Sequence, residues 1–395
     1  MKILYLNWKC FNGAETIETF SELGYDVSPF FHPDFKEPKS DAFEASFSSF
    51  LEKNSCDFAF SWNYFPVLAE ACKNAGIFYI SFVYDSPLAN LYSYTLAYPT
   101  NRIFLFDSAQ AEEFRRGGLT NVFFMTLPSN TLRADRLLPQ PHETERTRCD
   151  VSFIGSLYNE AHDFYSRMDF SKDRYLEGYL NGVMDAQSQI YGVHLLRSAI
   201  TPEIAKRAYA LLPLAPGPLS VEPKGYRLAE YVLGRKLTSR ERIGYLSAVG
   251  KRFGKKADLK LFTLDPSAEI PGFSNMGIAE YEHEMTHVFA DSRINLNITL
   301  RSIENGIPLR CMDILSAGGF LLTNYQNDFS PDFISGEDYD YFDSTDDLLG
   351  KIDYYLSHEK IRREIAQNGR AKAQAYFSMK EVLSRVLATA FDQMP

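Results

Sequence analysis

Apolar and polar positions alternate most clearly over Ile294 to Thr299, where Ile294, Leu296 and Ile298 are interleaved with Asn295, Asn297 and Thr299. A period of two predicts a short strand whose exit carries polar side chains. The loop Leu300–Pro308 holds Asn305-Gly306 and Pro308, which are turn residues. Leu309, Met312, Ile314, Leu315 and Ala317 then give one helical face that stops at Gly318-Gly319, and Phe320 to Leu322 reads as a buried strand. Strand, loop, helix and strand form the crossover unit of a parallel sheet, and such sheets bind ligands outside the carboxyl ends of their strands. The loop is therefore the expected site.

The first 130 residues show the same grammar. Strands are expected at Ile3–Leu6, Asp57–Phe60, Ile77–Tyr84, Arg102–Phe106 and Val122–Met125. Between them lie helices, one over Glu15–Leu23, one opened by Pro66 and closed by Gly76, and one capped by Asp107 or Ser108. The strand exits carry Asn7, Trp8, Ser61, Trp62, Asn63, Tyr84, Asp85 and Ser86. A carboxylate at such an exit can orient or deprotonate a hydroxyl, while Asp85 ahead of Pro87 also suits a plain turn. The polar, proline-bearing stretch from Pro128 to Asp150 reads as a linker. A second domain then opens with the strand Val151–Ile154 and the turn Gly155-Ser156, whose backbone amides, at a helix start, can take phosphate oxygens. The expected division is 1–147, a Rossmann-like domain, and 148–375, a second Rossmann-like domain with a helical insertion at about 158–254. An amphipathic helix, 376–395, with Val382, Leu383, Val386, Leu387 and Phe391 on its apolar face, closes the chain.

His283-Glu284-Met285-Thr286-His287 matches the HExxH pattern of zinc hydrolases. No third histidine follows in the usual extension, and the chain soon becomes a strand. Surface histidines are the expectation, and no metal is expected.

The chain has 395 residues and a formal charge of -10. That length allows two or three domains, and an acidic balance argues against a nucleic-acid partner. Five scattered cysteines without a CxxC pair suit reduced thiols. The apolar run after Lys2 is too short for a signal peptide, and no stretch approaches a membrane span. A soluble, cytoplasmic protein is the expectation.

The stretch around Asp313 resembles the nucleotide-sugar half of group 1 glycosyltransferases of the two-domain GT-B fold, and is most similar to the spore-maturation-type, CgeB-like members. In that group an acidic residue lies five positions before the glycine that ends this helix and holds the donor ribose; Asp313 stands five before Gly318. The run Arg301 to Arg310 also resembles the CgeB-like loop, and the resemblance implies that both arginines meet the diphosphate, which suits guanidinium geometry. Gly155-Ser156 looks like the family's glycine turn, but the Arg and Lys common after it are missing, the next basic residue being Arg167. Where relatives often carry His-Thr-aromatic, this chain has Ala375-Tyr376-Phe377, and the resemblance implies that the last helix, 376–395, packs back on the first domain.

The resemblance implies an α/β chain of the GT-B class, two Rossmann-like domains facing each other across a cleft, with a nucleotide sugar, UDP-linked, as substrate and no cofactor. Its donor residues would be Asp313, Arg301, Arg310, Gly155, Ser156, Asn297, Thr299, Gly318 and Gly319. Asn7, Trp8, Trp62, Asn63 and Tyr84 would hold a glycan, protein or small-molecule acceptor, with Asp85 catalytic. The rival readings are a non-catalytic nucleotide-sugar-binding protein and a zinc hydrolase using His283 and His287.

Overall fold

The computed structural model describes residues 1–159, 161–214, 216–217 and 219–392. The chain forms two compact units, one of Met1–Pro128, Ala215–Pro223 and Phe377–Pro395, the other of Ser129–Leu214 and Lys224–Tyr376. Each is built on a six-stranded sheet.

In the first unit the strands are β1 (Lys2–Leu6), β2 (Asp26–Phe30), β3 (Phe58–Trp62), β4 (Phe78–Val83), β5 (Asn101–Leu105) and β6 (Val122–Phe124). They run in the order β2-β1-β3-β4-β5-β6, all parallel. Sequence periodicity misses β2 for a physical reason. It is an edge strand, carries Pro29, and buries only Phe30 fully, so it shows neither alternation nor a long apolar run. The helices follow their local signals: Asp107 caps Ser108–Arg116 by accepting the Ala109 N–H at 3.0 Å, and Pro66–Ala75 ends on Gly76 at φ +68. The helix Met379–Asp392 packs here as well, Phe391 meeting Phe58 edge-on at 5.4 Å and Met379 lying 4.0 Å from Thr16 Oγ1. The end of the predicted 376–395 helix, 393–395, lies outside the described residues.

The second unit contains β7 (Cys149–Ile154), β8 (Leu259–Phe262), β9 (Ser274–Asn275), β10 (Ser292–Asn297), β11 (Leu321–Asn324) and β12 (Asp340–Phe342). Their order is β12-β11-β10-β7-β8-β9, again all parallel. The chain runs from β7 outward to β9, then crosses back to β10 and runs outward the other way, so the sheet has its switch point between β7 and β10. In the first sheet the equivalent point lies between β1 and β3. Crevices at such points are where open parallel sheets bind ligands.

The boundary between units falls near residue 128 rather than at 147. The segment read as a linker is folded: it forms the helices Thr131–Leu137 and Thr144–Thr147, and Asn130 caps the first through the Arg133 N–H at 3.0 Å. The insertion has a core of its own, in which Leu176, Leu180 and Met184 of the helix Arg174–Ser188 meet Leu196, Ile204 and Leu233. Part of the predicted 158–254 span leaves it, since the Val221 N–H donates to Tyr92 O at 2.7 Å within the first unit.

The helix Arg235–Phe253 links insertion and sheet. Leu246, Val249 and Phe253 belong to the sheet core with Val151, Leu261 and Ile294. It lies so close to the turn before β9 that a Cβ on Gly250 would stand 1.6 Å from Pro271 O. Gly250→Ala is therefore expected to cost at least about 1–3 kcal/mol through overpacking. A thermal midpoint equal to that of the unsubstituted protein would show that the Pro271 turn gives way freely.

Candidate functional site

Among the described residues, four other than glycine have positive φ: Lys9 at 59, Asn12 at 62, Asn63 at 59 and Tyr158 at 53 degrees. All follow the carboxyl ends of strands β1, β3 and β7, beside the two switch points. Such conformations are costly and collect at functional sites.

In the first unit, Asn63 organises the rim. Its side-chain oxygen accepts the N–H groups of Tyr84 and Asp85 at 3.1 and 3.2 Å, and its amide donates to Asp85 Oδ2 at 2.7 Å. The exits of β3 and β4 are thus tied together and the Asp85 carboxylate is aimed. Asp85 is open to solvent, yet the surrounding protein raises its carboxyl above the ordinary carboxylate range, the Asn63 amide acting in the opposite sense. Beside it Trp8 forms an aromatic platform with Tyr84 at 6.3 Å, Phe65 at 5.6 Å and Phe35 at 6.0 Å, and Phe11 reaches Tyr84 at 6.1 Å. Two of the residues expected to touch an acceptor lie beneath the rim. Trp62 is 1% exposed and its indole N–H is committed to Thr16 at 2.9 Å, and Asn63 is 2% exposed. Both position others; Asn7, Trp8, Tyr84 and Asp85 are the accessible members.

In the second unit the loop after β10 feeds the helix Leu309–Ser316, and Asp313 lies on that helix's second turn. Its Oδ1 accepts the Tyr281 hydroxyl at 3.4 Å, and the Arg133 guanidinium lies over the Tyr281 ring at 4.4 Å. Asn130, Ser316 and Phe289 complete a small hollow around these groups. Burial and then the Asp313 charge push the Tyr281 hydroxyl well above its usual range, with Arg133 and Arg310 acting against them. Asp313 and Arg310 are thus brought to one place. Arg310 packs along Phe289 at 5.5 Å and touches the Met285 sulfur; among the described residues no oxygen acceptor meets its guanidinium.

Arg301 corrects the sequence reading. It is 9% exposed, pairs with both oxygens of Glu241 at 2.6 to 2.9 Å, donates to Ile190 O at 3.0 Å and Ser188 O at 3.3 Å, and stacks on Tyr191 at 4.0 Å. Burial opposes its charge, but Glu241 outweighs that and holds its pKa above the ordinary value. With its donors engaged, it pins the insertion to the loop after β10 rather than facing a diphosphate.

The residue that reasoning from sequence missed is Arg242. It is 9% exposed and bridges the exits of β7 and β10, donating from Nε and Nη2 to Ile298 O at 2.9 and 2.6 Å and from Nη1 to Ser156 O at 2.5 Å. Among the described residues it pairs with no carboxylate, and burial, reinforced by nearby Arg310, lowers its pKa. A signal was present: Arg242, Leu246, Val249 and Phe253 recur at helical spacing, which puts a cation on a core stripe.

Other expected donor contacts have structural duties. Asn297 donates to Thr299 at 2.9 Å and Thr323 at 2.8 Å, the Thr299 N–H donates to Asn324 at 2.7 Å, and both side chains are buried. Gly318 caps the helix at φ +74, and a Cβ on Gly319 would stand 2.6 Å from Phe289 O. The Gly155 N–H belongs to the sheet, donating to Phe262 O at 2.9 Å, and no helix starts at Ser156. The glycine remains useful sterically, since a Cβ there would press on Phe153 at 3.3 Å and Arg242 at 3.4 Å.

The HExxH residues do not assemble. His283 precedes the helix Met285–Asp291 on which His287 lies, Glu284 is paired with Arg146, and His287 stacks on His142 at 3.8 Å. Among the described residues, the potential ligand atoms that lie within 4.8 Å of one another join His283 to Glu280 and Glu282, all exposed.

Residues 261–388, most of the second sheet and the helices after it, match the family described as "Glycosyl transferase-like". Over the full chain the fold is similar to sucrose-phosphate synthase from Thermosynechococcus elongatus, at 10% identity and a TM-score of 0.53 with 100% of both chains covered. It is similar to WaaG, a glycosyltransferase involved in lipopolysaccharide biosynthesis, at 10% identity and a TM-score of 0.53 with 98% of each covered. Anabaena HepE in complex with UDP-glucose matches at 11% identity and a TM-score of 0.50, covering 99% of this chain and 100% of that one. No curated protein matches the sequence significantly. At these identities the likeness is one of fold, and that fold is GT-B, with two Rossmann-like domains. No helix among the described residues is long and apolar enough to cross a membrane.

Proposed function

We propose that the protein is a glycosyltransferase that moves a sugar from a nucleoside diphosphate, UDP in the first instance, to an acceptor hydroxyl. The observation that carries this reading is the grouping of Asp313, Tyr281 and Arg310 at the head of the helix Leu309–Ser316, within the segment that matches the glycosyl transferase-like family. The UDP-glucose complex of the similarly folded HepE adds support for the donor class. Within that class, the resemblance of the run Arg301 to Arg310 to the CgeB-like loop supports membership of that subfamily.

Asp313 accepts hydrogen bonds from the donor ribose and Arg310 faces the diphosphate, while Arg242, held on the carbonyls of Ile298 and Ser156, adds positive charge behind it. As the bond from the anomeric carbon to the β-phosphate oxygen breaks, negative charge grows on that oxygen, and two guanidiniums stabilise it there. They do for the leaving group what a bound cation would do elsewhere, so turnover is expected to survive a chelator. The acceptor oxygen forms the new bond to the anomeric carbon and its proton passes to Asp85. The Trp8 and Tyr84 rings suit the apolar face of a sugar, which makes a saccharide the favoured acceptor.

Thermal shift against a panel of nucleotide sugars tests the reading, because a ligand of the native state raises the midpoint by mass action. If none does so, the donor site is misassigned. Given a donor, Asp85→Asn should abolish most turnover while donor affinity stays within about threefold, or about 0.65 kcal/mol. Since a base acts ionised and this carboxyl is raised, kcat/KM should climb with pH through an apparent pKa above the usual carboxylate range, a limb that Asp85→Asn loses. A carboxylate raised in the fold costs stability once pH exceeds its unfolded value, so at neutral pH the variant should unfold no earlier than the parent. Equal losses of turnover and donor affinity would remove Asp85 from catalysis.

A further inference from the structure

At the amino-terminal ends of β7, β8 and β10, on the far side of the second sheet from the donor residues, lies a cavity of about 680 Å³. Arg148, Arg293, Arg362 and Arg363 line it. The acids beside them already have cations: Asp150 takes Arg293 at 2.8 Å, Glu359 takes Arg363 at 2.5 Å, Asp258 lies 3.7 Å from Lys260, and Asp291 meets His142 at 2.7 Å. Among the described residues Arg148 and Arg362 are left without a carboxylate.

Arg362 is the telling member. It is 6% exposed, donates from Nη1 to Arg293 O at 2.7 Å, and its buried Nε has no partner. Burial first, and then Arg293, lower its pKa, with Glu359 acting in the opposite sense. It stands in the first turn of the 19-residue helix Glu359–Phe377, whose dipole adds positive potential at that end. The buried Arg362 at a helix start and the exposed Arg148 thus line one cavity whose acids, among the described residues, are already paired with other cations. Planar, forked donors of this kind match tetrahedral oxyanions.

We propose that this cavity binds a phosphate group, free or carried by a small metabolite, through Arg362 and Arg148. The volume is that of a small-molecule site. Occupancy would cross-link the starts of β7 and β10 to the helix Glu359–Phe377, and so bear on the sheet that carries the donor residues at its other end.

The test is titration of the full chain with inorganic phosphate and, separately, with glucose 6-phosphate, replacing chloride at constant ionic strength, followed by thermal shift and calorimetry. The parent protein should be stabilised, and the response should persist in Arg310→Gln, which disables the donor side. Arg362→Gln and Arg148→Gln should each weaken binding at least tenfold. Arg148 is exposed, so its variant tests the site even if Arg362→Gln folds poorly. Tenfold tighter binding of glucose 6-phosphate with the same Arg148 dependence identifies a metabolite phosphate, and equal or weaker binding identifies free phosphate. The proposal is overturned if neither anion acts beyond chloride, or if the response is lost in Arg310→Gln and unchanged in Arg148→Gln. Nucleotide affinity of Arg148→Gln reads the donor site separately, so failure here leaves the proposed activity standing.

Discussion

Replacing Arg301 by glutamine is expected to remove about 3–5 kcal/mol of stability, the usual result of taking one partner from a buried ion pair and leaving the other charged. The side chains of Arg301 and Glu241 are 7% and 9% exposed, so the pair is not a surface pair of negligible worth. Arg301 also carries the carbonyls of Ser188 and Ile190 and a ring contact with Tyr191, so the insertion and the loop after β10 loosen together when it goes. The measurement is a urea unfolding curve of the variant, beside Glu241→Gln, whose loss should overlap with it in the double variant rather than add. UDP and UMP affinities, where they change, should change in parallel, because this guanidinium is turned to Glu241. A variant of nearly parental stability that loses UDP selectively over UMP would return Arg301 to the diphosphate.

The contrast between Arg301 and Arg310 shows where sequence stops informing. Both flank one loop, and both fit the pattern of a phosphate contact. What separates them is Glu241, 60 positions away, together with the insertion that delivers it. Caps behave differently: Ser344, which accepts the Asp347 N–H at 3.2 Å, and Gly76 announce helix ends because their physics is contained in a few neighbouring residues. The strand before the loop, the helix that Gly318 ends and the strand after it were legible for the same reason. Asp313 could be placed on that helix, but its neighbours Tyr281 and Arg133 come from segments that no local pattern joins to it. Asn63 shows the same limit from the other side. Its polarity marks a rim residue, while its burial and its three hydrogen bonds, to Tyr84 and Asp85, make it the support for a rim residue instead. His287 likewise fits a zinc motif by spacing, yet it is held by a histidine 145 positions earlier in the chain, stacked at 3.8 Å.

Asp313→Ala is expected to lower nucleotide affinity roughly ten- to a hundredfold. Hydrogen bonds to a charged group are worth about 1.5–3 kcal/mol each, and rehydration of the ribose hydroxyls returns part of two such bonds, which leaves about 1.4–2.7 kcal/mol. The alanine also removes the acceptor of the Tyr281 hydroxyl at 3.4 Å, so a loss of affinity could in principle follow from a collapsed hollow. Asp313→Asn separates the causes: it keeps the volume and one acceptor for Tyr281 while removing the charge, and should retain stability yet still lose affinity. The arginines give the complementary signature. Arg310→Gln should weaken UDP more than UMP, since only UDP carries the second phosphate, whereas Asp313→Ala should weaken both alike. Arg242→Lys keeps a cation at the exits of β7 and β10 but not the fork that spans Ile298 and Ser156, and should fall between the parent and Arg310→Gln in its preference for UDP. Calorimetric titration of both nucleotides against the four variants yields one table of affinity ratios. Parental UDP affinity in Asp313→Ala would show that the helix Leu309–Ser316 does not hold the ribose, and the assignment of the second unit as the donor side would fall with it.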